Sequence, residues 1–277
     1  MPQIFPRSAN DIARISILGG LVLLGGLVWG GATMYNSGYR TGEGIYLHQP
    51  VPFSHDHHVR GLGVDCRYCH TSVETSAMAG IPPIATCMNC HRQIWTNSDL
   101  LEPVREAWRT GVPIQWERVH DLPDFVYFNH SVHVAKGIGC SECHGQVDRM
   151  PLTVQVASLD MQWCLECHRN PVERVRPRDQ VFNMTYDPRS PSLADLQAVG
   201  MEPDGLAEAG DDSEANGHDA GDGASAVGSS GENGHGAGEP DTERPIRLTR
   251  AELAEFRHRL GEEYDLQSLT SCSVCHR

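Results

Sequence analysis

The chain has 277 residues, with 22 basic and 36 acidic side chains and a formal net charge of −14. That balance excludes a nucleic-acid binder, which needs a basic footprint to neutralise phosphates, and a 39% hydrophobic fraction excludes a polytopic membrane protein but not a single span. Aromatic residues are only 6% of the chain, too few for a large side-chain core, so something besides side chains is expected to fill the interior.

Residues 1–14 carry Arg7 and Arg14, and residues 15–35 form an uncharged run, ISILGGLVLLGGLVWGGATMY. As a helix this run spans about 31 Å, enough for a bilayer core of about 30 Å. A cleaved signal peptide has a shorter apolar region and a small-residue cleavage site. The run therefore predicts an uncleaved, single-pass anchor. The basic N-terminus stays in the cytoplasm and the remainder lies outside, in the periplasm of a bacterial inner membrane. Ser16, Gly19, Gly20, Gly26 and Gly30 give small-x-x-x-small spacings that let another helix approach, although glycine is also simply common in such helices.

All ten cysteines fall in five Cys-x-x-Cys-His motifs. These are Cys66, Cys69 and His70; Cys87, Cys90 and His91; Cys140, Cys143 and His144; Cys164, Cys167 and His168; and Cys272, Cys275 and His276. This is the signature of c-type haem attachment: two thiols bond to the porphyrin edge and the next histidine reaches the iron. Thioredoxin-like and zinc-ribbon pairs do not require that histidine. Five covalent haem c groups are expected, attached outside the cytoplasmic membrane.

The haem domain, 36–200, contains an internal repeat. Phe53-Ser-His55-Asp-His57-His58-Val59 precedes Cys66, and Phe128-Asn-His130-Ser-Val-His133-Val134 precedes Cys140. Two related two-haem units follow, at about 48–110 and 120–180. Histidines three apart on a helical turn are neighbours yet can diverge towards two irons. His55, His58, His130 and His133 are therefore the expected distal ligands. His57 has Val132 as its counterpart and is the odd one out. His120 is the expected distal ligand of the fifth iron, with His48 as runner-up. Met78 or Met150 can replace a histidine at one iron, giving a higher potential, or can simply pack on porphyrin. Met88, inside its own attachment loop, is not expected to ligate.

Residues 98–111 read as a helix with Ser98 as N-cap and a glycine stop. Arg169, Arg174, Arg176 and Arg178 follow the fourth motif, where their planar forks suit haem propionates, an acidic partner or plain solvation. Residues 201–243 hold 12 acids, ten glycines and no Lys or Arg. Such a segment cannot bury enough apolar surface to order itself, so an acidic, disordered insert is expected, with His218 and His235 as solvated side chains. Without it, 24 acids face 22 bases. Residues 244–277 contain a helix starting at a capping box, Thr249-x-x-Glu252, and the fifth motif. Its apolar stripe is Leu253, Phe256 and Leu260, with His258 pointing away. The expected fold class is a multihaem cytochrome c: one N-terminal transmembrane helix and a small, mostly irregular, short-helix domain built around five covalent haems.

The anchor, the two F-x-H-x-x-H units, the five motifs and the run Val119-His-Asp-Leu-Pro-Asp-Phe-Val-Tyr-Phe128 together resemble the pentahaem cytochrome c subunit of bacterial alternative complex III. The acidic insert is not part of that pattern. The resemblance implies a quinol:electron-acceptor oxidoreductase with iron–sulfur and quinone-site membrane subunits. It also implies a downstream cytochrome, high-potential iron–sulfur protein or terminal oxidase. Electron transfer without substrate turnover at the chain's own haems is the expected role. The alternative is a self-sufficient, membrane-anchored quinol dehydrogenase of the tetrahaem type, feeding a periplasmic reductase; the fifth motif counts against it.

Overall fold

The structure is a computed structural model and describes Pro6, residues 8–201 and residues 245–276. The acidic insert, with His218 and His235, lies outside the described residues.

Helix α1, Ser8–Tyr35, is 28 residues long and buries none of its side chains. It is long and apolar enough to cross a membrane and starts earlier than the apolar run, at Ser8. Asp11 in its first turn complements the helix dipole. Past its end, Arg40 folds back. Its Nε donates to the Tyr35 carbonyl at 2.6 Å, and its guanidinium lies 4.2 Å from the Tyr35 ring centre. Its other side approaches Asp160 at 3.8 Å. Gln155 donates to the Thr41 carbonyl at 2.9 Å, and Tyr46 bridges Val154. The base of the anchor is thus tied to the segment that leads into the fourth attachment motif.

Beyond α1 the described residues form short helices, turns and isolated β-bridges. The longer helices are α2 (Ile84–His91), α3 (Glu102–Thr110), α4 (His130–Ala135), α5 (Met161–Arg169), α6 (Leu193–Ala198) and α7 (Arg250–Glu263). Two capping boxes start helices here: Thr249 with Glu252 at α7 and Ser192 with Asp195 at α6. In the 98–111 stretch, Ser98 has extended backbone but its side chain makes no cap bond. A tight turn over Asp99–Leu101 comes first, α3 follows, and Gly111 ends it in the left-handed conformation.

Among the described residues two small apolar clusters stand in place of a single core. One gathers Val175, Leu196, Phe256, Leu260 and Tyr264, so the stripe of α7 packs as its periodicity indicates. The other gathers Val51, Met88, Leu101 and Val104, which assigns Met88 to packing. Neither cluster contains a motif histidine. Elsewhere, Gly139 lies against the Arg176 guanidinium so closely that an added Cβ would fall 2.2 Å from it.

Candidate functional site

Each motif is wound into about one helical turn, so its two cysteines, three apart, share a face and the following histidine lies nearby. Asp65 caps the turn Cys66–Cys69 by accepting from the Arg67 backbone N–H at 2.8 Å. Asp160 caps α5 in the same way through Trp163, at 3.0 Å. None of the ten cysteines is in a disulfide.

The ten thiols are not equally enclosed. Cys90 and Cys272 are exposed, whereas the other eight are partly covered. The reason at the second motif is the packing of α2. Cys87 and Met88 lie against the Val51, Leu101 and Val104 cluster, while Cys90, near the end of the helix, packs against neither apolar cluster. In the fifth motif Cys272 is exposed while Cys275 is partly covered. Covalent attachment needs a sulfur that the porphyrin edge can reach, so an exposed Cys90 remains a candidate for attachment, at a rim position.

The fold sets four motif histidines opposite the four histidines of the F-x-H-x-x-H units, those expected as distal ligands. His55 faces His70 with ring centres 6.5 Å apart and planes 9° apart. His130 faces His144 at 6.4 Å and 10°. His58 faces His91 at 6.2 Å and 64°, and His133 faces His168 at 6.2 Å and 66°. The two histidines of each F-x-H-x-x-H unit therefore diverge to two different motifs.

Every one of these rings has a contact at Nδ1, which leaves Nε2 as the nitrogen available to a metal. Among the motif histidines, His70 is held by the Gly80 carbonyl at 2.7 Å, His91 by Ile94 at 3.3 Å and His168 by Leu269 at 3.1 Å. Among the distal ones, His58 is held by the Ser54 carbonyl at 2.8 Å, His130 by Ala77 at 2.8 Å and His133 by Asn129 at 2.7 Å. His55 meets the Thr153 hydroxyl at 3.0 Å. Such a partner fixes the tautomer and orientation of a metal-ligating imidazole.

The repeat is physical as well as textual. Phe53 stacks on His58 at 4.4 Å and meets His55 edge-on at 5.0 Å. Phe128 does the same to His133 at 4.5 Å and His130 at 4.8 Å. The polar residue after each phenylalanine supplies the carbonyl that orients the second histidine. The turn itself is wide and π-type over Asp56–Gly61 in the first unit and α-helical in the second. His57 leaves the pattern and stacks on Trp95 at 5.8 Å.

His120 sits differently from the sequence expectation. It lies against His144, with its Nε2 3.3 Å from His144 Nδ1, and not against His276. The reason is local. The chain turns at Pro123, where Val126 N–H donates to the Pro123 carbonyl at 2.8 Å. After that turn it is Phe125 and Tyr127 that reach the fifth motif. The Phe125 carbonyl lies 3.2 Å from His276 Nδ1, the Phe125 ring lies 5.5 Å from the His276 ring, and Tyr127 N–H donates to Cys275 at 2.9 Å. Among the described residues no second imidazole stacks against His276. His48 lines an open groove with Asp99 and Pro103, and the Met78 side chain is exposed.

Burial keeps the buried rings neutral, the form that ligates a metal. It pushes His55 down to about 4, with His70 adding to the effect, and His144 down to about 3, with His120 adding to it. His120 and His133 are lowered for the same reason. Burial also raises the thiols of the third motif, Cys140 to about 11 and Cys143 to about 12.

Arg174, Arg176 and Arg178, three of the four arginines after the fourth motif, pair with protein groups. Arg176 is fully buried and donates to Glu142 at 2.7 Å, to the Ser141 hydroxyl at 3.2 Å and to the Asn183 carbonyl at 3.1 Å. Arg174 reaches the same Glu142 at 3.1 Å, and Arg178 approaches Glu263 at 3.9 Å. Glu142 and Ser141 are the two spacer residues of the third motif, so these forks hold an attachment loop. Sequence reasoning missed this because a Ser-Glu spacer looks like a solvated one.

The donor set fits haem. Metal–imidazole bonds of about 2 Å, plus about 1 Å from each ligating nitrogen to its ring centre, put two rings on one ion about 6 Å apart. All four facing pairs match. Among the described residues no group of three or more His, Cys, Asp or Glu side chains could hold a bare ion. Pairs of this kind suit a metal that arrives with its other four ligands, as porphyrin iron does. No family model matches the chain. Over 98 residues the chain is 37% identical to the multiheme cytochrome c subunit of menaquinone reductase from Nitratidesulfovibrio vulgaris. The match covers 35% of this chain and 45% of that protein, so the chain spans less than half of that relative's length. That similarity, together with the facing histidines, supports a multihaem cytochrome c.

Proposed function

We propose that the chain is a membrane-anchored pentahaem c-type cytochrome that carries electrons within a quinol-oxidising respiratory complex of the alternative complex III type. The observation that carries this reading is the set of four facing histidine pairs. Held by two histidines at each of these sites, haem iron would have no place left for a substrate, which makes electron transfer the fitting role. Bound at the motifs, haem c supplies reversible one-electron chemistry at its iron. The chain's own residues attach it through ten thiols, orient nine imidazoles through Nδ1, and fix the order of the sites.

The order we propose is second, first, third, fourth, fifth motif. What supports it is contact between neighbouring loops. Asn89 of the second motif donates to the Tyr68 hydroxyl of the first at 3.0 Å. His130 and Ser131, beside the third site, donate backbone N–H groups to Ala77 and Ser76, just past the first. Glu142 of the third meets Arg174 beyond the fourth. His168 of the fourth is held by Leu269 and meets Ser268, just before the fifth. The anchor base meets Asp160, which caps the fourth motif's helix.

Membrane partners in this proposal are iron–sulfur and quinone-site subunits. The acceptor is a periplasmic cytochrome, a high-potential iron–sulfur protein or a terminal oxidase. The relative's printed name favours a second reading, in which electrons run the other way, towards menaquinone. Isolation in mild detergent tests both. Co-purifying iron–sulfur and polytopic subunits, with quinol-dependent reduction of this chain's haems, support the first. Menaquinone-dependent reoxidation without quinol-driven reduction supports the second. Full quinol oxidation by the isolated chain contradicts both.

A further inference from the structure

Among the five motif histidines, His144 alone is held at Nδ1 by a side chain; the other four meet backbone carbonyls of Gly80, Ile94, Leu269 and Phe125. The two rings meet in a T-shape, at 74° with centres 4.3 Å apart, and His144 Nδ1 lies 3.3 Å from His120 Nε2. This contact lies on the Nδ1 side of His144, while the ring also faces His130. The pair is half-buried and bridges residues 24 apart in the chain. We propose that His120 is a positioning residue for the third site. It accepts the His144 Nδ1–H hydrogen bond, aims Nε2 at the iron and raises the ligand's basicity.

The proposal rests on the haem reading above and gives His120 a different role from axial ligation of the fifth iron. A hydrogen bond accepted from an axial imidazole strengthens it as a donor, and such outer partners affect a metal site substantially. A stronger donor favours ferric iron, so losing the partner favours ferrous iron. The third motif is also the middle one in the proposed order, where a shift of potential alters the whole row.

The test is redox potentiometry at fixed pH on the full-length, detergent-solubilised protein, with haem content and ferric EPR measured on the same samples. His120→Phe removes the acceptor at similar size, and His120→Leu removes it with less bulk, so a loading defect in one leaves the other informative. His120→Gln returns a carbonyl acceptor. The expected result is five haems per chain in each. One component moves to more positive potential by about tenfold in its ferrous-to-ferric ratio, ~59 mV for one electron, and returns towards wild type in His120→Gln. Unchanged potentials in a fully loaded His120→Phe or His120→Leu protein overturn the proposal. A new high-spin signal in either variant also overturns it, because His120 would then be an axial ligand. Fewer than five haems in the wild type would instead count against the haem reading itself.

Discussion

The ring of His55 lies 9° from parallel with that of His70, while three residues on, the ring of His58 crosses that of His91 at 64°. The second unit reproduces both angles, at 10° for His130 with His144 and 66° for His133 with His168. Parallel imidazoles both act on one iron d orbital and split the pair strongly. Crossed imidazoles leave the pair close in energy. Ferric EPR of the oxidised protein should therefore show two classes of low-spin signal, rhombic and highly anisotropic, from two sites each. His58→Ala should remove intensity only from the anisotropic class. Loss from the rhombic class would contradict the pairing.

Arg176 and Glu142 form a buried ion pair that holds the third attachment loop. Removing the arginine strands a carboxylate that is mostly withdrawn from water, at a cost of about 3 kcal/mol or more. Arg176→Leu should lower the denaturation midpoint sharply and reduce loading at the third motif. Arg174→Ala, at a half-exposed partner of the same Glu142, should cost about 1 kcal/mol or less. Equal effects of the two would contradict the assignment.

Asp65 accepts from the Arg67 side chain and backbone, and this holds its carboxyl down to about 2 against an ordinary 3.8. The folded state thus binds this proton more weakly than the unfolded state. The stabilisation is complete above about pH 4 and is lost as pH falls through about 2. Asp65→Asn keeps a capping oxygen but carries no titrating charge. Its stability at pH 7 should lie within about 1 kcal/mol of wild type, and its acid limb should be flatter in that window. An unchanged acid limb would contradict the pair.

Helix α1 contributes no buried residue, yet the segment after it is tied down through Arg40, Thr41 and Tyr46. A version exported with a cleavable leader and starting at Asn36 should be soluble and still carry its full haem complement. Starting at Leu47 instead removes those ties, and haem loading should fall. Membrane association of the first version would contradict a single anchor.

The sequence exposes what covalent and ligand chemistry forces. A thiol pair followed by histidine, and two histidines on one turn, are legible because no other side chains do that chemistry. Phe53 and Phe128 were visible as a repeat, but their stacking on the second histidine was not. The capping box at Thr249 was legible because both partners lie within one turn, as was the apolar stripe of Phe256 and Leu260. Ser98 stands at the N-cap as its position indicates, but its hydroxyl makes no cap bond, and its carbonyl accepts from Arg105 at 2.8 Å. The motif makes Cys87 and Cys90 look equivalent, yet only Cys87 packs on the apolar cluster beside α2. Exposure depends on what lies across the fold, and the motif says nothing of that. His120 and Arg176 were not legible for the same kind of reason. Their partners lie 24 and 34 residues away, brought in by turns such as that at Pro123. A local pattern does not carry that information.

Intact mass spectrometry of the purified chain, read beside its haem absorbance, tests the central claim most directly. The account predicts one species carrying five covalent haem groups, and loss of one group when the cysteine pair of any one motif is replaced by alanine. A mature chain with fewer covalent haems, or with unmodified thiols holding zinc, would contradict it.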